Sequence, residues 1–214
     1  MKVFAFDFDG VILDSTKLLR ENYIHFLSKY GIRADKSDLE FFYNNTIDNI
    51  IKYLNEKYKL NLKKKEVENS FFENELVFIR NFKNSDHIKE LKEILDYLKE
   101  KGFYLIILSH SPYDRIAYAL KEFNLYYYFT EIISDEKILT DKIDYFSNFI
   151  YYNKINEAFL IDDSPKICLK AIKNNIKSFL YYNPLRMSIE ESLKFSKNYN
   201  IPLIRHFSDL KKFF

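Results

Sequence analysis

Residues 2–15 read Lys2-Val3-Phe4-Ala5-Phe6-Asp7-Phe8-Asp9-Gly10-Val11-Ile12-Leu13-Asp14-Ser15. An apolar run that ends abruptly in acids predicts a strand over Lys2 to Phe6 leading straight into a polar site. In an extended chain alternate side chains share a face, so Asp7 and Asp9 are expected to point one way and Phe8 into packing. Two carboxylates at the end of a buried strand are costly unless a cation or protons neutralise them. Open α/β sheets bind ligands at that carboxyl edge. The bland alternative is a pair of solvated loop acids with Gly10 serving a turn.

The rest of the chain repeats the strand pattern. Further strands are predicted at Phe103 to Leu108, Glu131 to Ile133, Ala158 to Ile161, Ser178 to Tyr182 and Pro202 to Ile204. Amphipathic stretches alternate with them, the signature of βαβ units and a mainly parallel sheet. Ser85 or Asp86 caps a helix with Ile88, Leu91, Ile94, Leu95 and Leu98 on one face, and Gly102 stops it. Ser111-Pro112, with Pro at the first helical position, Thr140 and Ser164-Pro165 open three more. From Ser15 to Asn84 the alternation breaks and only helix signals occur. Leu18, Leu19, Tyr23, Phe26, Leu27 and Tyr30 follow helical spacing up to Gly31, Ser37 and Glu40 form a capping-box pattern, and another helix runs from Lys64 to Phe82. This block reads as a helical domain, 15–84, inserted into a core of 1–14 and 85–214.

Composition narrows the class. With 33 Lys+Arg against 31 Asp+Glu, 47% apolar residues and only 3 Gly and 4 Pro, the 214-residue chain is a globular protein, neither disordered nor collagen-like. The lone Cys168 has no Cys partner for an intrachain disulfide, redox pair or zinc site and reads as a small buried hydrophobe. Asp7 and Asp9 arrive before a signal-peptide core forms, and the longest apolar run, Phe103 to Leu108, is too short to span a membrane, so a cytoplasmic protein is expected. A pI of 8.3 with one basic run, Lys63-Lys64-Lys65, argues against nucleic acid.

Three later features stand beside the first acids. Leu105-Ile106-Ile107-Leu108 ends in Ser109, whose hydroxyl, with the His110 backbone N–H, suits phosphate oxygens. Lys142 lies 33 residues after Ser109 and 20 before Asp162, in a first helical turn where a lysine gains from a nearby anion. Phe159-Leu160-Ile161 then runs into Asp162-Asp163-Ser164-Pro165. A hard divalent cation with oxygen ligands resolves both acid pairs together.

This order, Asp-x-Asp-Gly-Val-x-x-Asp-Ser, strand-Ser, Lys, strand-Asp-Asp-Ser-Pro, resembles the haloacid dehalogenase superfamily of phosphohydrolases, of the phosphoglycolate phosphatase-like and β-phosphoglucomutase-like kind. The resemblance implies an α/β fold with a Rossmann-like three-layer parallel sheet core and a small inserted α-helical cap. It implies Asp7 as nucleophile, Asp9 as general acid and base, Ser109 and Lys142 on the phosphoryl group with His110 beside them, and Mg2+ held by Asp7, the Asp9 carbonyl, Asp163 and Asp162. Asp9 points to phosphate esters, because dehalogenases proper lack that second acid. The chain departs from the pattern at Lys166 and Ile167, where another acid often stands, at Asp162, commonly Gly or Glu, and at Ile143, often Pro. Lys137 is the fallback for Lys142, and His110 is either a substrate contact or a loop histidine with a local hydrogen bond.

The resemblance also implies that the cap excludes water and selects a small phosphorylated metabolite. Asn44-Asn45-Thr46 is a loose candidate specificity loop, and Lys17 and Arg20 could meet a substrate anion. Three activities stay open: a Mg2+-dependent phosphatase of small phosphate monoesters, a phosphomutase, and a non-enzymatic receiver-like phosphoacceptor, against which the order of the acids argues.

Overall fold

The structure is a computed structural model and describes residues 1–43, 47–138, 141–184 and 186–214. Two compact units divide the chain: Met1–Asp14 with Lys83–Phe214, and Ser15–Phe82.

The first unit is built on six parallel strands, β1 (Lys2–Phe6), β2 (Phe103–Leu108), β3 (Glu131–Ile133), β4 (Glu157–Asp162), β5 (Lys177–Tyr181) and β6 (Leu203–Ile204). Their order is β3-β2-β1-β4-β5-β6. The strands interior to the sheet are buried on both faces, as parallel strands must be when helices cover each side. Alternation sorts the side chains of β1: Val3 and Ala5 join Leu160, Ile143 and Phe146 in one core cluster, while Phe4 stacks on Phe159 and Phe179 on the other face. The sheet is Rossmann-like, and its strand order reverses between β1 and β4, where ligands of such sheets bind.

Helices α5 (Asp86–Glu100), α6 (Tyr113–Glu122), α7 (Lys142–Tyr152), α8 (Pro165–Lys173) and α9 (Ile189–Tyr199) flank the sheet. Ser85 caps α5 by accepting the Ile88 N–H, the five predicted apolar residues are buried, and Gly102 follows at φ +79°. The opening of α6 differs from expectation. Pro112 sits at the N-cap, the Ser111 hydroxyl donates to Asp9, and the first helical N–H, that of Tyr113, is accepted by the Glu136 carboxylate (3.1 Å). Thr140 lies outside the described residues, and Asp141 caps α7.

The second unit contains α1 (Ser15–Ser28), α2 (Lys36–Tyr43), α3 (Ile47–Tyr58) and α4 (Lys64–Phe82). Tyr23, Phe26, Leu27, Phe42, Ile50, Leu54 and Val67 form its core; Tyr30 at the end of the first pattern is exposed. Of the capping box expected of Ser37 and Glu40, the Glu40 side chain lies outside what the structure describes, and a box is formed by Asp35 and Asp38. Asp38 donates its N–H to Asp35 Oδ1 (2.9 Å), Asp35 donates its own to Asp38 Oδ2 (2.9 Å), and Ser37 lies inside the helix. The Asn44-Asn45-Thr46 segment lies outside the described residues. No helix among the described residues is long and apolar enough to cross a membrane.

Candidate active site

β1 and β4 run side by side with Phe6 opposite Ile161, so Asp7 and Asp162 leave the sheet at neighbouring positions. The Asp7 N–H still donates to the Ile161 carbonyl (2.9 Å), which fixes the acid at the sheet edge. Beyond Asp7 the chain does not stay extended. Phe8 to Leu13 form a turn closed by Ile12 N–H and Leu13 N–H on the Phe8 carbonyl and Gly10 N–H on the Leu13 carbonyl. Asp9 therefore reaches the site from a turn and not by strand alternation, although Phe8 is buried as expected. His87 Nε2 lies 2.9 Å and 3.1 Å from the Val11 and Ile12 carbonyls and braces this turn from α5.

Gly10 is required by space as well as by φ. At φ +79°, a Cβ there would lie 2.1 Å from Asp163 Oδ2. The missing side chain lets the turn and the Asp163 carboxylate occupy adjoining space.

Asp7, Asp162 and Asp163 are all buried, and each offers a carboxylate oxygen within 4.8 Å of the others. Lys142, the first residue of α7, is buried among them with Nζ 3.1 Å from Asp7 Oδ1 and 2.5 Å from Asp162 Oδ2. Lys137 instead pairs with Glu131 on the surface (2.7 Å). Asp162 Oδ1 accepts the Ser164 N–H (2.8 Å), and its buried Oδ2 has the Lys142 ammonium as ion-pair partner but no hydrogen bond. Asp163 Oδ2 accepts from Asn183 Nδ2 (2.6 Å) and Arg186 Nε (2.8 Å). Asp163 Oδ1 is buried and has no partner.

The electrostatics follow from three buried carboxylates around one lysine. Burial, then the charge of Asp162, pushes the Asp7 carboxyl well above the ordinary range despite Lys142. Burial also raises Asp163, against the pull of Arg186. Burial works to lower the Lys142 ammonium, but Asp7 and Asp162 override it and hold it above the usual lysine value. An all-oxygen donor set, an orphaned carboxylate oxygen and a surplus of buried negative charge together fit a hard divalent cation such as Mg2+.

Asp9 belongs to a different cluster. Arg115 Nη1 donates to both of its oxygens (3.0 and 2.9 Å) and to Ser111 Oγ (2.7 Å), while Ser111 Oγ donates to Asp9 Oδ2. Its side chain is thus held by Arg115 and Ser111, outside the carboxylate triad; of the expected metal set, the triad comprises Asp7, Asp162 and Asp163. Ser109 is buried, and its Oγ accepts the Ser111 N–H (3.2 Å). His110 is exposed and lines the rim of the cavity.

An open cavity of about 390 Å³ gathers Asp7, Asp9, Ser109, His110, Lys142 and Asp162. The same cavity adds Ser111, Ser164 and Arg186, which sequence reading missed. A larger cavity of about 560 Å³ at the amino edge of the sheet is walled by Phe103, Phe159, Phe179 and Phe214. Its lining has one acid, Glu157, already paired with Lys2 and Lys177, so it offers no comparable chemistry.

The sequence profile of haloacid dehalogenase-like hydrolases matches residues 4–181. The chain belongs to that family. Similar solved structures of this haloacid dehalogenase-like protein include a candidate β-phosphoglucomutase from Thermotoga maritima, 16% identical with TM-score 0.76 over 95% of this chain and 94% of that one. A predicted phosphoglycolate phosphatase from Haemophilus somnus is 16% identical with TM-score 0.72 over 100% and 97%. A β-phosphoglucomutase from Clostridium difficile is 18% identical with TM-score 0.65 over 97% and 92%. At these identities the likeness is one of fold. No curated protein sequence matches the chain.

Proposed function

We propose that this haloacid dehalogenase-like hydrolase is a Mg2+-dependent phosphatase that cleaves a small phosphate monoester through an aspartyl-phosphate on Asp7. The observation that carries the reading is the buried Asp7, Asp162 and Asp163 cluster with Lys142 bridging two of its members. Asp7 and Asp163 would hold the ion, with Asp163 Oδ1 as the open donor; the Asp9 carbonyl is the further ligand that the family resemblance implies. Asp162, with one oxygen on the Ser164 N–H and the other paired with the ammonium, chiefly fixes Lys142. When bound, Mg2+ supplies positive charge that screens the approach of a phosphoryl dianion to a carboxylate.

In the first half-reaction an Asp7 carboxylate oxygen bonds to phosphorus, the P–O ester bond breaks, and Asp9 gives its proton to the departing alkoxide. In the second, water attacks phosphorus, its proton passes to Asp9, and the Asp7–phosphorus bond breaks. Arg115 and Ser111 hold the Asp9 carboxylate in one place for both transfers. Lys142 offsets charge on Asp7 and the phosphoryl oxygens, and the Ser109 hydroxyl donates to one of them. For the helical unit, Ser15–Phe82, the family resemblance implies the role of a cap that excludes water and selects substrate. A cytoplasmic setting suits the single free, buried Cys168.

Phosphate release from an aryl phosphate tests this reading. Release that needs Mg2+, stops with a chelator and falls by about 1,000-fold or more in Asp7→Asn supports it. Chelator-resistant release, or full activity in Asp7→Asn, would overturn it. Interconversion of sugar phosphates without net phosphate release would instead identify a mutase.

A further inference from the structure

Three bases reach the site, and two of them each hold a buried or half-buried carboxylate of the machinery described above. Arg115 is committed to Asp9 and Ser111, and Lys142 to Asp7 and Asp162. Arg186 is different. It follows β5 at the carboxyl edge of the sheet and donates through Nε alone, to Asp163 Oδ2 (2.8 Å). Among the described residues its Nη1 and Nη2 have no hydrogen-bond partner, and the side chain is 51% exposed where it lines the cavity.

The anchor matters as much as the free end. Asp163 is itself fixed by Asn183 Nδ2 (2.6 Å), so the Nε contact restrains a side chain that otherwise has many rotamers. What remains is a planar pair of N–H groups on a side chain that lines the cavity, the geometry that matches a carboxylate or phosphate in bidentate fashion. A divalent cation on Asp163 would share the charge that now compensates Arg186. The guanidinium would then be left in need of another anion.

We propose that Arg186 receives a second anionic group of the substrate, a carboxylate or a second phosphoryl, lying close to the ester that is cleaved. This rests on the phosphatase reading above and narrows its substrate class: esters with a neutral remainder are poor substrates, and short doubly anionic ones are good.

The test uses pairs that differ only in that group: 2-phosphoglycolate against 2-hydroxyethyl phosphate, and a sugar bisphosphate against its monophosphate. For wild type, Arg186→Gln and Arg186→Lys, kcat/KM is measured for each member at one Mg2+ concentration. Taking the ratio within a pair cancels any weakening of the metal site that reaches it through Asp163. Wild type is expected to prefer the doubly anionic member by about tenfold or more in at least one pair, through KM. Arg186→Gln should erase that preference and Arg186→Lys restore part of it; which pair responds identifies the anion. A wild-type ratio near one in both pairs, or a preference that survives Arg186→Gln, overturns the proposal. Equal loss on both members of a pair also overturns it, because Arg186 would then serve the transferring phosphoryl group. A wild type that hydrolyses none of the four sinks the phosphatase reading instead. The same pairs titrated calorimetrically into wild type and Arg186→Gln, with Mg2+ present, then still decide whether Arg186 selects the second anion.

Discussion

Gly10 and Asp163 share a space in which neither can change freely. A Cβ at residue 10 would sit 2.1 Å from a carboxylate that Asn183 and Arg186 already fix, on a backbone at φ +79°. Gly10→Ala is therefore expected to cost about 1–3 kcal/mol, from strain and from the forced shift of Asp163. Chemical denaturation gives that cost, and calorimetric Mg2+ titration should show weaker binding in the same variant; an unaltered midpoint and affinity would contradict the packing described. Asp7 gives the opposite sign. A carboxyl raised by burial holds its proton more tightly folded than unfolded, so above the ordinary carboxylate value of about 4 its contribution to stability falls as pH rises. In chelator, the wild-type Tm should drop more between pH 5 and pH 8 than that of Asp7→Asn. The variant should melt higher at pH 8, by about 3 °C for each kcal/mol of repulsion removed. Parallel Tm curves for the two proteins would show that the buried acids do not oppose one another.

At the level of elements, the sharpest prediction concerns the helical unit. Asp38 is buried in α2 and accepts from Tyr53 (2.9 Å), Lys57 (2.6 Å) and Tyr58 (2.5 Å), all on α3, as well as from the Asp35 N–H. Burial acts to raise its carboxyl, but these donors together hold it below the ordinary range. Its contribution is present above about pH 4 and is lost as pH falls through the lower folded value. Asp38→Ala should cost about 2–4 kcal/mol by stranding Lys57 and two hydroxyls, and protease should then cut within 15–82 before it cuts the sheet. Uniform digestion of the two units would refute that localisation. This network also shows where the sequence ceased to be readable. Asp35-x-x-Asp38 and Ser37-x-x-Glu40 overlap, and local pattern cannot choose between them; the tyrosines and lysine 15 to 20 residues onward do. Ser111 misled for a related reason. Before a proline it looks like a cap, but its hydroxyl is taken by Asp9, 102 residues away.

Across the whole molecule, the strand order brings the ends of β1 and β4 together at the point where the sheet reverses, and the triad forms there. Much of this was legible because each buried strand ends where its apolar run meets Asp7, Ser109 or Asp162. The arginines were not legible: Arg115 and Arg186 look like any of the 33 basic residues until the fold sets them beside Asp9 and Asp163. The central claim is that one ion and one phosphoryl group meet on Asp7. A crystal structure grown with Mg2+ and beryllium fluoride, a mimic of a carboxylate-bound phosphoryl group, tests it most directly. The account predicts Mg2+ at about 2.1 Å from oxygens of Asp7 and Asp163, with the mimic bonded to Asp7 and within hydrogen-bond reach of Ser109 and Lys142. Mg2+ elsewhere, or a mimic bonded to another residue, would contradict it.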